Sequence, residues 1–330
     1  VMLSSGWASG QGRTDVVSLA NGDRITGEVV ALDRGRLEFK TDDAGTLYLE
    51  WDKLASVVTK RLVEVVTADG RRLLGSLGPG PSRSLAVVAA EGIVILAMGE
   101  VTIVRTIGRS FWRQLDGSID VGYNYTRSSG VAQFNLNSDT VFRRLASQAR
   151  LTASATLTQT DGEDGRDDRG SLEASYLQYP WQEVFVTAAG RFETNESLGI
   201  VLRSQIGAAV GPRLVNSNRA QMSIGGGLAF NDERGVDVEP TQNIEALGTF
   251  RTSFYTYDRP KTELDIAFTY YPSLSNLGRQ RLQLDADVRR EVFKDLFVSF
   301  NLYNSYDNRP PSTDANTNDI GFVLSICWSY

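Results

Sequence analysis

Residues 320–330 read Ile320-Gly321-Phe322-Val323-Leu324-Ser325-Ile326-Cys327-Trp328-Ser329-Tyr330. Ile320, Phe322, Leu324, Ile326, Trp328 and Tyr330 fall at every second position, with Gly321, Val323, Ser325, Cys327 and Ser329 between them. Successive side chains of a strand point to opposite faces. The pattern therefore predicts a strand that shows one face to a non-aqueous surface and the other to something wetter.

The same alternation continues upstream as far as Ile119. It predicts twelve strands, beginning near Ile119, Ala132, Leu151, Leu172, Val184, Ile200, Ala220, Ile244, Leu264, Leu282, Leu296 and Ile320. The sorting is clearest where Leu151, Ala153, Ala155 and Leu157 alternate with Thr152, Ser154, Thr156 and Thr158, and where Ala220, Met222, Ile224, Gly226, Leu228 and Phe230 alternate with Gln221, Ser223, Gly225, Gly227 and Ala229. Each segment is near the roughly 9–11 residues of a tilted membrane strand. The odd connections include the polar stretches Thr160–Gly170, Asn231–Thr241 and Tyr306–Asp319. The even ones include the short Pro180–Glu183, Asp258–Lys261 and Glu291–Asp295, with the longer Gly211–Arg219 as the exception. An even strand count with alternating short and long connections is the grammar of a bacterial outer-membrane β-barrel.

Alternation alone also fits a soluble β-sandwich or lipocalin-like barrel, which turns its apolar face inward. Three features favour the membrane. The apolar faces mix large residues with Gly and Ala. Tyr179, Trp181, Tyr257, Tyr270 and Trp328 lie near strand ends. Twelve strands enclose more space than apolar side chains fill. The last strand is then expected to pair with Ile119–Tyr125 to close the barrel, its small residues Gly321, Ser325, Cys327 and Ser329 leaving room inside. Phe322, Leu324, Ile326, Trp328 and Tyr330 read as the carboxyl-terminal signal recognised by the barrel assembly machinery. Outer-membrane lipids are the expected surroundings, and both barrel ends face the periplasm.

Composition narrows the chemistry. The 330 residues carry a net charge of −6 and no long basic run, which disfavours a nucleic-acid partner. No apolar run approaches the roughly 18 residues of a spanning helix. The mildly polar mean hydropathy is normal for a barrel, whose strands hide one face from lipid. Cys327 is the single cysteine, so no intrachain disulfide forms, and histidine is absent. Hydrolytic mechanisms that use a histidine with a serine or an aspartate are therefore closed to this chain. A carboxylate pair such as Asp285 and Asp287 could do acid and base work, but any polar lumen produces the same spacing. No enzyme activity and no cofactor are expected. Asp314, Asn316 and Asn318 are spaced like the start of a calcium loop, yet the glycine and the distal glutamate are missing, so no metal site is expected.

The first third has a different grammar. Val1–Gly10 reads either as the tail of a secretory signal peptide or as a disordered leader, extending to residue 14. From Asp15 to Ile107 a repeat of about 48 residues is visible. Leu19–Gly27 returns as Thr67–Gly75, with Asn21-Gly22 and Asp69-Gly70 at hairpin positions that need positive φ. Leu37 recurs as Leu85 and Leu47–Val57 as Val94–Val104. The expected organisation is two tandem SH3-like or Sm-like small β modules, residues 15–60 and 61–107, in the periplasm. A linker over 108–117 and the barrel over 118–330 follow. The modules serve either as binding modules for a periplasmic protein partner or as a plug or spacer. Phe111 and Trp112 in the linker read either as headgroup anchors or as plain linker residues.

On this register Glu245, Glu263, Asp265, Asp285 and Asp287 point into the barrel from three consecutive strands, and Arg191 and Arg203 point in from two others. Acidic and basic groups on different walls of a narrow wet lumen set up a transverse field that orients small charged solutes. Arg251 also points inward near the acidic wall, so a barrel packed shut by paired charges is the alternative.

Tyr303-Asn304-Ser305-Tyr306-Asp307-Asn308-Arg309-Pro310-Pro311, Asp314–Gly321 and Trp328-Ser329-Tyr330 resemble the signature of an uncharacterised family of salt-induced outer-membrane proteins. The resemblance covers the second part of the chain and is strongest over its last third. It implies a barrel in the outer membrane of a Gram-negative bacterium, and no reaction or ligand. The expected role is a narrow, porin-like passive channel for small polar solutes. The competing role is a structural or adapter protein whose barrel is an anchor for the periplasmic modules.

Overall fold

The computed structural model describes residues 14–81, 83–107, 115–126, 131–144, 146–160, 166–195, 200–235, 239–310 and 317–328. Regular structure among them is strand throughout, apart from two three-residue 3-10 turns at Trp51–Lys53 and Met98–Glu100. The strands form two antiparallel sheets. Contacts divide the chain into a unit over 1–107 and another over 108–330.

The first unit contains β1 (Asp15–Leu19), β2 (Arg24–Asp33), β3 (Arg36–Lys40), β4 (Thr46–Glu50), β5 (Leu54–Val58), β6 (Val63–Thr67), β7 (Arg72–Pro79), β8 (Ser84–Ala89), β9 (Gly92–Ala97) and β10 (Val101–Thr106). Both repeats fold the same way. The first pairs in the order β4-β3-β2-β1-β5 and the second in the order β9-β8-β7-β6-β10, with a 3-10 turn before each last strand. Gly22 and Gly70 take positive φ at the equivalent hairpins, as their Asn-Gly and Asp-Gly settings require.

The repeats do not form two separate modules. β10 of the second repeat pairs with β2 of the first through Val104↔Leu32 and Arg105↔Ala31. In return the Thr59 N–H donates to the Leu77 carbonyl at 2.8 Å. One core runs through both repeats, from Val17, Leu32, Phe39 and Leu54 to Val65, Leu77, Leu85 and Val104. The Trp51 indole N–H donates to the Met98 carbonyl at 2.6 Å, joining the equivalent 3-10 turns of the two repeats. A chain of about 45 residues buries too little apolar surface to be stable alone, so the repeats share theirs.

Buried charge ties the unit together. Asp15 is buried and accepts the Val29 N–H at 2.9 Å and an Arg61 Nη2 hydrogen bond at 2.7 Å. Burial pulls the Arg61 pKa down, but the hydrogen bonds and charges of Asp15 and Glu28 outweigh it and hold the guanidinium above its ordinary value.

The second unit contains β11 (Leu115–Thr126), β12 (Val131–Arg144), β13 (Ser147–Thr160), β14 (Arg166–Gln178), β15 (Val184–Asn195), β16 (Ile200–Asn216), β17 (Ala220–Gly235), β18 (Thr241–Thr256), β19 (Thr262–Pro272), β20 (Gln280–Phe293), β21 (Leu296–Asp307) and β22 (Asn318–Trp328). They form one meander, each strand paired with the next. The predicted strand number and order hold.

Three expectations change. No ladder joins β11 to β22 among the described residues, so the expected pairing of the last strand with Ile119–Tyr125 is not present and the sheet has two edges. The long Gly211–Arg219 connection disappears, because β16 runs on to Asn216 and only residues 217–219 turn. Much of Asn231–Thr241 and parts of Thr160–Gly170 and Tyr306–Asp319 are strand rather than loop. Their polar residues continue the alternation of the polar face, which composition alone reads as loop. The leader, Phe111, Trp112, Asp314, Asn316 and Tyr330 lie outside the described residues.

Gly27 and Gly75 occupy equivalent positions on β2 and β7. A Cβ at Gly27 would collide with the Lys40 carbonyl and the Phe39 ring, and one at Gly75 with the Val88 carbonyl. Overpacking of this kind costs about 1–3 kcal/mol. Gly27→Ala and Gly75→Ala are therefore each expected to lower the protection of the β1–β10 amides in hydrogen exchange of the full chain, and to leave the second unit unchanged.

Candidate functional site

Residues facing one another in an antiparallel ladder share a face, so the register sorts every side chain of the twelve-stranded sheet. One face carries Ile119, Phe134, Leu151, Leu172, Ile206, Leu228, Leu264, Leu284, Phe300 and Phe322, with their cross-strand neighbours. The other carries Asp120, Asn137, Ser154, Glu173, Arg191, Gln205, Asn231, Asp265, Asp287 and Asn301. All eight predicted interior residues, Arg191, Arg203, Glu245, Arg251, Glu263, Asp265, Asp285 and Asp287, stand on this second face.

Burial runs opposite to that of a water-soluble domain. Phe322 is 71 % exposed, Ile206 63 % and Leu228 57 %, whereas Glu245 and Asn231 are fully buried and Arg279 is 2 % exposed. Large apolar side chains are exposed on one face, and the ions at one end of the other face are buried.

The ions are paired, and they gather at the end of the sheet where the odd connections lie. The Arg281 guanidinium grips the Glu245 carboxylate with two hydrogen bonds, at 2.9 and 2.5 Å, and lies 4.8 Å over the Tyr271 ring. Arg279, in the β19–β20 connection, donates to Glu233 at 3.1 Å and to Asp307 at 2.6 Å. Arg203 Nε and the Asn231 amide complete the shell of Glu233, at 3.0 and 2.7 Å. Glu245 and Arg281 meet across β19, and Glu233 on β17 meets Arg279 next to β20. Such reach across intervening strands is natural only if the polar face is the concave one.

The middle of the same face is open. Asp265 and Asp287 oppose each other directly in the β19–β20 ladder. Like charges placed so repel. They are held by donors from the outer neighbours, the Ser253 hydroxyl to Asp265 at 2.5 Å and the Asn301 amide to Asp287. Asp285 and Asp287 are exposed, and Arg251, Ala267 and Asp285 form one cross-strand row. Arg191 and Arg203 both approach Glu193, at 3.5 and 3.8 Å. Glu193 thus offsets part of the positive charge of Arg191 and Arg203, which strand parity alone does not pair with it. The room expected beside Gly321 is taken by the Tyr303 ring, which covers the glycine from β21.

A model of the family described as "Protein of unknown function, DUF481" matches residues 119–330. The chain belongs to this family. The match begins within β11, so the repeat unit lies outside it. No curated protein is significantly similar to the chain. A solved structure described as "Bacterial polysaccharide outer membrane secretin" aligns with 82 % of this chain and 97 % of its own length, at 11 % identity and a TM-score of 0.38. A likeness that loose carries no argument about fold or activity.

Sequence reading missed Glu233, Arg279, Arg281 and Asp307. Arg281 was open to parity, since it precedes Asp285 and Asp287 by steps of two. Arg279 sits in a connection, where no periodicity applies. Removing one partner of a buried ion pair leaves an uncompensated charge and costs about 3–5 kcal/mol, whereas replacing both with neutral groups costs far less. Arg281→Met is expected to lower the denaturant midpoint of the second unit, and Glu245→Leu together with Arg281→Met to restore most of it, as read by tryptophan fluorescence.

Proposed function

We propose that the second unit is an outer-membrane β-barrel with a narrow, charged lumen, and that it passes small polar solutes passively. The observation that carries this reading is the inverted burial of the twelve-stranded sheet, with apolar residues exposed on one face and paired ions buried on the other. A soluble sandwich or lipocalin-like barrel has the opposite arrangement. Lipid would cover the apolar face, and the pairing of β11 with β22 would complete the wall, since an unpaired strand edge cannot persist in hydrocarbon. β16, β17 and β18, of 17, 16 and 16 residues, exceed the roughly 9–11 that cross a bilayer. Their ends would therefore project beyond it.

Asp265, Asp285 and Asp287 would form an acidic stretch of the lumen, with Glu263 opposite Arg289 at its border, and the Glu233–Arg279–Asp307 and Glu245–Arg281 clusters would form a neutralised zone towards the outer end. Phe322, Leu324, Ile326 and Trp328 lie on the apolar face of β22 and would suit recognition by the barrel assembly machinery. Catalysis has no part in this reading, and the first unit would lie in the periplasm.

Reconstitution in planar bilayers tests it. Discrete ohmic conductance steps with a preference for cations are expected from the heat-modifiable, folded chain, and absence of conductance overturns the channel. Glu263→Gln, Asp265→Asn, Asp285→Asn and Asp287→Asn combined should reduce the preference for cations. Unchanged selectivity would show that these carboxylates do not line the path.

A further inference from the structure

The repeats of the first unit close on each other through β2, β10, Thr59 and β7, which leaves β4 and β9 as the ends of the sheet path. These edges are equivalent in the two repeats, yet their outer faces differ. Beside β4 the outward residues are Arg36, Glu38 and Lys40 on β3, paired with Glu50, Tyr48 and Thr46. The Arg36 guanidinium lies 5.3 Å over the Tyr48 ring. Beside β9 the outward residues are Ser84, Ala86 and Val88 on β8, paired with Ala97, Ile95 and Ile93. None of these is charged. Ile93 is 67 % exposed and Ile95 58 %, and Val88 and Leu74 extend the same apolar surface across β8 and β7.

Open strand edges invite pairing, and proteins blunt them with charge. The first repeat does so and the second does not. We propose that β9 is the edge through which two copies of this chain associate, pairing antiparallel so that their ten-stranded sheets become one. A second copy is the occupant for two reasons. This sheet already grows by joining an edge of one repeat to a strand of its near-duplicate, so a further copy continues an existing mode of assembly. The strand is also self-complementary when turned end for end. With Val94 opposite Val94 of the second copy, Ile93 stands against Ile95, Gly92 against Leu96 and Glu91 against Ala97. The flanking Glu91 and Glu100 then never face each other, so no like charges oppose the pairing.

The proposal does not depend on the channel reading and is tested apart from it. Sedimentation equilibrium of the full chain in detergent should give twice the monomer mass. Ile95→Lys should weaken the dimer by about ten-fold or more, and Tyr48→Lys on the equivalent edge should leave it intact. Circular dichroism melts of both variants should match the parent. As a second measurement, Val94→Cys in a Cys327→Ser background should oxidise to a disulfide-linked dimer, whereas Tyr48→Cys should not. A chain that stays monomeric at every concentration overturns the proposal. So does a dimer that Ile95→Lys leaves unchanged, or a monomer that binds bare lipid vesicles through Ile93 and Ile95.

Discussion

Strand register is the constraint on which the second unit depends. Side chains alternate with a period of two, so a slip of one residue in any ladder would carry Asp265 or Glu245 to the face of Leu264 and Ile244, and those residues to the ionic face. Eleven successive ladders keep the sorting intact from Ile119 to Trp328. Each strand inherits its orientation from the one before it. The bulges confirm how firmly the pattern is held. Shifts occur at Glu193/Asn195 in β15, at Ile200/Leu202 and Arg213/Val215 in β16 and at Glu291/Phe293 in β20, all close to strand ends, and the long central ladders run without interruption.

The buried ions follow from that sorting. A polar face carried along strands of up to 17 residues brings charges together at the end of the sheet where the odd connections lie. There each must find a partner or lose its hydration uncompensated. Arg281 with Glu245, and Arg279 with Glu233 and Asp307, are the outcome. Where the face is open, Asp285 and Asp287 stay exposed to solvent, and the Asn301 amide donates to Asp287. One face therefore carries a tight neutral zone and an open acidic zone, and in the proposed channel the first would set the size of the path and the second its sign.

The first unit solves a different problem by a related route. Two repeats, each too small to hold a core, pool their apolar residues and trade strand pairings, so that Trp51 of one reaches Met98 of the other. The repeats present matching surfaces, and they differ where the match leaves an edge over. Arg36, Glu38 and Lys40 guard β4, and nothing comparable guards β9.

Much of this was legible in the residues. Alternation located all twelve strands of the second unit and placed all eight candidate interior residues on one face, because parity is a local property that needs no partner to be read. The repeat and its two glycine hairpins were equally plain. Three things were settled only in three dimensions. Asn231 and Glu233 looked like loop, since polarity marks a loop and the inner face of such a sheet alike, and only pairing with β16 and β18 separates the two. Arg279 could not be assigned from a connection, where side-chain direction has no period. The two repeats looked like separate modules, because sequence similarity records common descent and says nothing of which edges pair. Sequence by itself determined which residues share a face. The tertiary structure decided which face is buried and which charges meet, because burial and ion pairing depend on curvature between strands far apart in the chain.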